Sequence, residues 1–186
     1  MFNINNTYKT GLIVMAGMLT LNLNACKPVD PPNPNEEEMI SSVVMHLVDS
    51  SGVEADRTVI YRDLDGAGGA APERFDSIRL SQNKTYWVNL YFLDETKMPA
   101  DTISNEVKAE ADEHLICFTP TGLSLPILIL DKDANNLPLG LSTKWQTGSA
   151  GMGSLRLQLR HQPGNKNGSC EPGSSDIDLN FELKVE

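Results

Sequence analysis

Aromatic side chains are scarce in this chain of 186 residues: two Trp, four Tyr and five Phe make up 6% of it. So few rings argue against a stacking platform for sugars, and Trp87, Tyr91 and Trp145 read as core or rim packing. Basic side chains are also few, 15 Lys and Arg against 25 Asp and Glu, for a formal net charge of −10. With no basic cluster, such a surface repels nucleic acid and anionic head groups, so nucleic-acid binding is excluded. Long apolar runs are missing too. The stretch from Gly11 to Leu23 falls short of the ~20 residues a membrane-spanning helix needs. Catalytic signatures are lacking. The loop Gly148-Ser149-Ala150-Gly151-Met152-Gly153 has neither the nucleophile elbow nor a phosphate-binding pattern. No pair of carboxylates stands out as the machinery of a glycosidase.

What is present begins at the N-terminus. Lys9 is the only charged side chain in the first 25 residues, and the apolar stretch after it ends in Leu23-Asn24-Ala25-Cys26. A positive start, a short apolar run and a small residue before a cut site read as a signal peptide over 1–25. The last four residues resemble the lipobox of bacterial lipoproteins, with Asn24 standing where a small or hydroxyl residue is usual. The resemblance implies cleavage before Cys26, a thioether-linked diacylglycerol and an acylated amine, palmitate being a typical chain. Two or three chains anchor stably where one is marginal, at ~0.8 kcal/mol per buried CH₂. Residues 26–38 then hold four Pro and, with Asp30, four acidic residues. That composition cannot build a core and reads as an extended tether.

Cysteine is limited to three residues. With Cys26 carrying lipid, Cys117 and Cys170 remain, and in an oxidising compartment they form the natural disulfide.

Residues 39–186 form the single folded domain. Ile177, Leu179, Phe181, Leu183 and Val185 alternate with Asp176, Asp178, Asn180, Glu182 and Lys184, the pattern of a strand with one buried and one wet face. Leu155, Leu157 and Leu159 repeat it. Further strands are expected at 41–48, 57–62, 75–80, 85–94, 115–119, 124–130 and 140–147. Residues 102–114 read as a short helix, with Ile103, Val107, Ala111 and His114 on one stripe. About eight or nine strands and one helix predict an all-β fold, an antiparallel two-sheet sandwich, with a closed β-barrel as the alternative.

Two groups of residues have ligand chemistry. Period two carries His161 onto the apolar face of Leu155, Leu157 and Leu159, and His114 follows Glu110, Asp112 and Glu113. If His114 and His161 converge, Glu110 or Glu113 completes a site for Zn²⁺ or another divalent transition metal. Otherwise these are histidines bonded to backbone carbonyls, since no His-x-x-x-His spacing ties them together. Asp63 and Asp65, in Asp63-Leu-Asp65-Gly66, have the alternate-oxygen spacing of a Ca²⁺ loop. Position twelve of that loop falls on Arg74 rather than Glu, so a turn stabilised by its own side chains is the competing reading. Asp131-Lys-Asp133 repeats the spacing.

The segments Tyr61–Gly69, Glu110–His114, Asp133–Leu141 and Leu159–Pro163, in this order before a final strand ending at Val185, resemble a family of small Bacteroidota lipoproteins. Some of these are grouped with type 1 periplasmic-binding folds. That fold needs alternating strands and helices in two lobes, which this chain is too short and too strand-rich to supply. The resemblance implies an exported lipoprotein of the outer membrane, on its periplasmic or cell-surface face, and brings no catalytic residues. The expectation is a non-enzymatic binding or accessory module, held to the membrane by its lipid and serving an outer-membrane protein such as a transporter. A structural or adhesive surface module, stiffened by Ca²⁺ or the disulfide, and a hydrolase of unrecognised type are the alternatives.

Overall fold

Alternating apolar side chains organise almost every segment of the domain into strands. The computed structural model describes residues 38–66 and 68–186, so Cys26, the signal peptide and all of the tether but Glu38 lie outside the described residues. In chain order the elements are β1 (Ser42–Asp49), β2 (Arg57–Arg62), β3 (Arg74–Phe75), β4 (Ile78–Leu80), β5 (Thr85–Leu93), α1 (Ile103–Ala109), β6 (His114–Thr121), β7 (Ile127–Ile129), β8 (Ser142–Gln146), β9 (Gly151–His161) and β10 (Ser174–Val185).

The strands form two sheets. One has the order β3-β2-β1-β5-β8-β7 and the other β4-β10-β9-β6. They face each other as a sandwich and do not close into a barrel. All pairings are antiparallel except that of β4 with β10. Period two sorts the side chains: Tyr86, Val88, Leu90 and Phe92 of β5 are buried while Trp87 and Tyr91 are exposed. Leu155, Leu157 and Leu159 of β9 meet Phe181, Leu183 and Val185 of β10 in the same core. Trp145 is fully buried, its indole N–H donating to Thr143 Oγ1 at 2.8 Å. It is therefore core, apart from the exposed Trp87 and Tyr91, and the three aromatics make no common platform.

Three segments differ from the sequence expectation, and of one of them, 124–130, only Ile127–Ile129 forms a strand. The stretch 75–80 is split between sheets: β3 pairs with β2, and β4 pairs with β10. Asp76 lies at the break, and its carboxylate accepts the Ile60 N–H and the Arg74 guanidinium. The helix is also shorter than 102–114. It stops at Ala109, and residues 110–113 form turns before His114 begins β6.

The disulfide joins Cys117 to Cys170 across a sequence separation of 53. It ties the 162–173 connection, which joins β9 to β10, onto β6. The same connection is fixed at both ends by Gln162, whose side-chain amide donates to the Ser169 and Pro172 carbonyls.

Candidate functional site

The antiparallel register of β6 and β9 sets His114 directly opposite His161. Cross-strand partners project on the same face, here the inner one, and the two rings stack with centroids 4.8 Å apart and planes 8° from parallel. His114 is fully buried and His161 is 6% exposed. The convergence that no local spacing announces is thus produced by strand pairing.

The turn before β6 orients the first ring. His114 Nδ1 lies 3.1 Å from the Glu110 carbonyl oxygen. A carbonyl only accepts, so Nδ1 carries the proton and Nε2 presents its lone pair. That Nε2 is buried and has no hydrogen-bond partner among the described residues. It points toward Asp176 Oδ2, 3.8 Å away. The turn is pinned in place: the Gln162 N–H donates to the Glu113 carbonyl, and Lys166 Nζ donates to the Ala111 carbonyl and to the buried Asp133 carboxylate.

Asp176 reaches the histidines through a bulge. The β9–β10 register shifts between Ser175 and Ile177, so Asp176 is an extra residue on β10 without a partner position on β9. Strict alternation places it on the wet face with Asp178. The bulge re-aims it, and its side chain is fully buried. Here the sequence pattern misleads, because nothing in the residue types marks the bulge.

Among the described residues, two groups of three ligand-bearing side chains have donor atoms within 4.8 Å of one another: His114, His161 and Asp176, and Glu38, Glu110 and His114. Of the four metal-ligand residues expected from sequence, His114, His161 and Glu110 fall within these groups. Glu113 stands beside them, its Oε2 3.6 Å from His161 Nε2. Asp176 and Glu38 are additions. Glu38 belongs by composition to the tether, yet it is half-buried and hydrogen-bonded to Glu106.

Electrostatics match the geometry. Burial, the largest influence, pushes the His114 pKa down to about 4; the hydrogen bond to the Glu110 carbonyl opposes it, and the neighbouring His161 and Lys166 add smaller downward pushes, so the imidazole is neutral near pH 7. Glu38 moves the other way, up to about 7, because it is partly buried among Glu106, Asp176 and Glu110. Neutral imidazole with a lone pair, beside carboxylates, is the donor set of Zn²⁺ and similar divalent ions. Two donors bonded to one Zn²⁺ at about 2.1 Å sit no more than ~4.2 Å apart. Donors within 4.8 Å are close to that limit, and because the two rings are stacked nearly parallel, with their lone pairs in separate planes, one imidazole must turn about its side-chain torsions to share an ion with the other. The buried lone pair of His114 and this donor set fit such an ion.

The aspartate loops have a different character. Asp63 accepts the Gly66 N–H and the Tyr61 hydroxyl, and Asp65 accepts the Ala70 N–H. Asp131 accepts the N–H groups of Gly140 and Leu141. These carboxylates organise their own turns, and neither Asp63 nor Asp65 belongs to the two ligand groups. An open cleft of about 600 Å³ lies between α1, β5 and the 131–142 segment, lined by Tyr91, Asn89, Lys108 and Lys132 among others. No helix among the described residues is long and apolar enough to cross a membrane. No protein-family model matches the chain, and no curated protein and no solved structure is significantly similar to it.

Proposed function

We propose that this protein is an exported lipoprotein, anchored through Cys26, whose β-sandwich is a non-enzymatic module for a divalent transition metal ion. The ion, Zn²⁺ or a close relative, is held by His114, His161 and Asp176. The observation that carries this reading is the pairing of His114 with His161 across β6 and β9, with the bulged Asp176 beside them. The anchor rests on the N-terminal pattern ending in Ala25-Cys26 and on the resemblance to small Bacteroidota lipoproteins. Held at the outer membrane, such a module serves a membrane-embedded partner such as a transporter.

Titration of the chelator-treated full chain with Zn²⁺ tests the metal. One equivalent binds tightly, and the double variant His114→Ala, His161→Ala binds at least about a hundredfold more weakly, since loss of both imidazoles leaves carboxylates alone. Equal affinity in both proteins would place the metal elsewhere. Incorporation of labelled palmitate, abolished by Cys26→Ala, tests the anchor.

A further inference from the structure

The two sheets turn different faces to solvent. On the four-stranded sheet the outward positions of β9 and β10 carry Arg156, Arg160, Asp178, Glu182 and Lys184, with both signs interspersed. The six-stranded sheet differs. Strand pairing lines up two outward rows across it: Val48, Trp87, Lys144 and Leu128 form one, and Ile60, Val44 and Tyr91 the other. Trp87, Tyr91 and Leu128 are 42%, 44% and 58% exposed, and the aliphatic side chains of β1 and β2 beside them are half-buried. None of the outward-facing strand positions of this sheet is Asp or Glu, in a chain that holds 25 of them. Three of its bases, His46, Arg62 and Arg74, are paired with Asp56, Glu95 and Asp76 from outside the strands. Among the described residues Lys144 has no acidic partner, and its ammonium lies 5.7 Å from the Trp87 ring centroid. An apolar face that the fold leaves uncovered marks a docking surface.

We infer that this face rests on the phospholipid bilayer to which the protein is anchored. The inference builds on the Cys26 anchor proposed above and does not depend on the metal. Glu38 follows Cys26 by twelve residues, and a chain of that length spans at most ~40 Å. The bilayer surface is therefore always within reach, at high effective concentration. Charge decides which face meets it. A chain of net charge −10 is repelled by lipid phosphates over most of its surface, and the acid-free face is where that repulsion is weakest. Trp and Tyr rings settle at the headgroup level, and a lysine stem lies along apolar surface while its ammonium reaches a phosphate. A second copy of the chain offers no such partner for Lys144, since its matching face carries the same lysine and no acid.

Tryptophan fluorescence of the lipidated full chain in phosphatidylcholine vesicles tests this. Trp87 lies on the face, and the other tryptophan, Trp145, is fully buried in the core. Brominated acyl chains lower Trp87 emission at least about twofold, as expected of a ring at the headgroup level. The quenched component vanishes in Trp87→Phe. In the double variant Tyr91→Asp, Leu128→Asp the quenching is lost while the melting temperature stays near that of the parent, because both side chains are exposed. If the protein floats with the vesicles and brominated lipid leaves its emission unchanged, the inference is overturned. Shielding of Trp87 from aqueous iodide then assigns the face to a second copy or another protein, and free access of iodide leaves it bare. A chain that does not float lacks the anchor, and the inference falls with it.

Discussion

His114 and His161 face each other as direct partners across β6 and β9, with their rings parallel and 4.8 Å apart. Two stacked imidazoles in the interior cannot both be charged without strong repulsion. The His114 Nδ1 contact with the Glu110 carbonyl fixes its neutral tautomer, and burial holds its pKa at about 4. His114 is therefore a neutral imidazole near pH 7 that presents its Nε2 lone pair in the interior.

That arrangement has a signature in the pH dependence of metal-free stability. An unfolded His takes up its proton near pH 6.5, and folded His114 only near 4. The unfolded state thus binds more protons between these values, and stability falls as pH drops from about 6.5 to about 4. Glu38 contributes with the opposite sign. Its folded pKa is raised from 4.5 to about 7, so its contribution is present below pH 4.5 and is lost as pH rises toward 7. Urea unfolding in chelator across pH 4–7.5 separates the two. His114→Gln removes the loss on the acid side, and Glu38→Gln removes the loss between 4.5 and 7. A His114→Gln profile that parallels the parent over pH 4–6.5 would contradict the burial assigned to His114.

The disulfide is expected to be the strongest single constraint on the 162–173 connection. Closing a loop with a sequence separation of 53 removes unfolded-state entropy corresponding to about 4 kcal/mol on the chain-entropy scale. The paired replacement Cys117→Ser, Cys170→Ser should lower the unfolding free energy by about 2–4 kcal/mol. Zn²⁺ affinity should fall as well, because the freed connection joins His161 to Asp176. Denaturant unfolding and a metal titration on the same variant check both.

Gly173 is a sharper probe of the same corner. It has φ +79°, and a Cβ built on it would lie 1.9 Å from the His161 carbonyl oxygen. Gly173→Ala must move the backbone that carries His161 or the bulge that carries Asp176. A destabilisation of more than about 2 kcal/mol is expected. Gly148→Ala, where a Cβ meets nothing within 4 Å, serves as the control and should cost under ~1 kcal/mol.

The sandwich was legible in the sequence because its strands obey period two: β2 occupies Arg57–Arg62, as its β-branched run suggests. The inward placement of His161 follows from the same rule, since it continues the Leu155, Leu157, Leu159 row. Rules of alternation fail where the backbone breaks the alternation. Asp176 reads as a wet-face residue in step with Asp178, and only the bulge in the β9–β10 pairing turns it inward. The facing of His114 and His161 depends on which strands neighbour each other, a non-local property. Glu38 was hidden by composition: three consecutive glutamates after a proline-rich stretch read as solvated chain. The helix was overdrawn because residues 110–113 keep its apolar spacing, whereas the His114 ring meets the Glu110 carbonyl and starts a strand.

The most direct test of the metal reading is the X-ray absorption spectrum of the zinc-loaded full chain at the Zn K-edge. Two imidazoles in the first coordination shell, with oxygen donors completing it, are expected, and the imidazole scattering should drop to one ring in His161→Ala. A shell of oxygen donors alone, without imidazole scattering, would contradict the account.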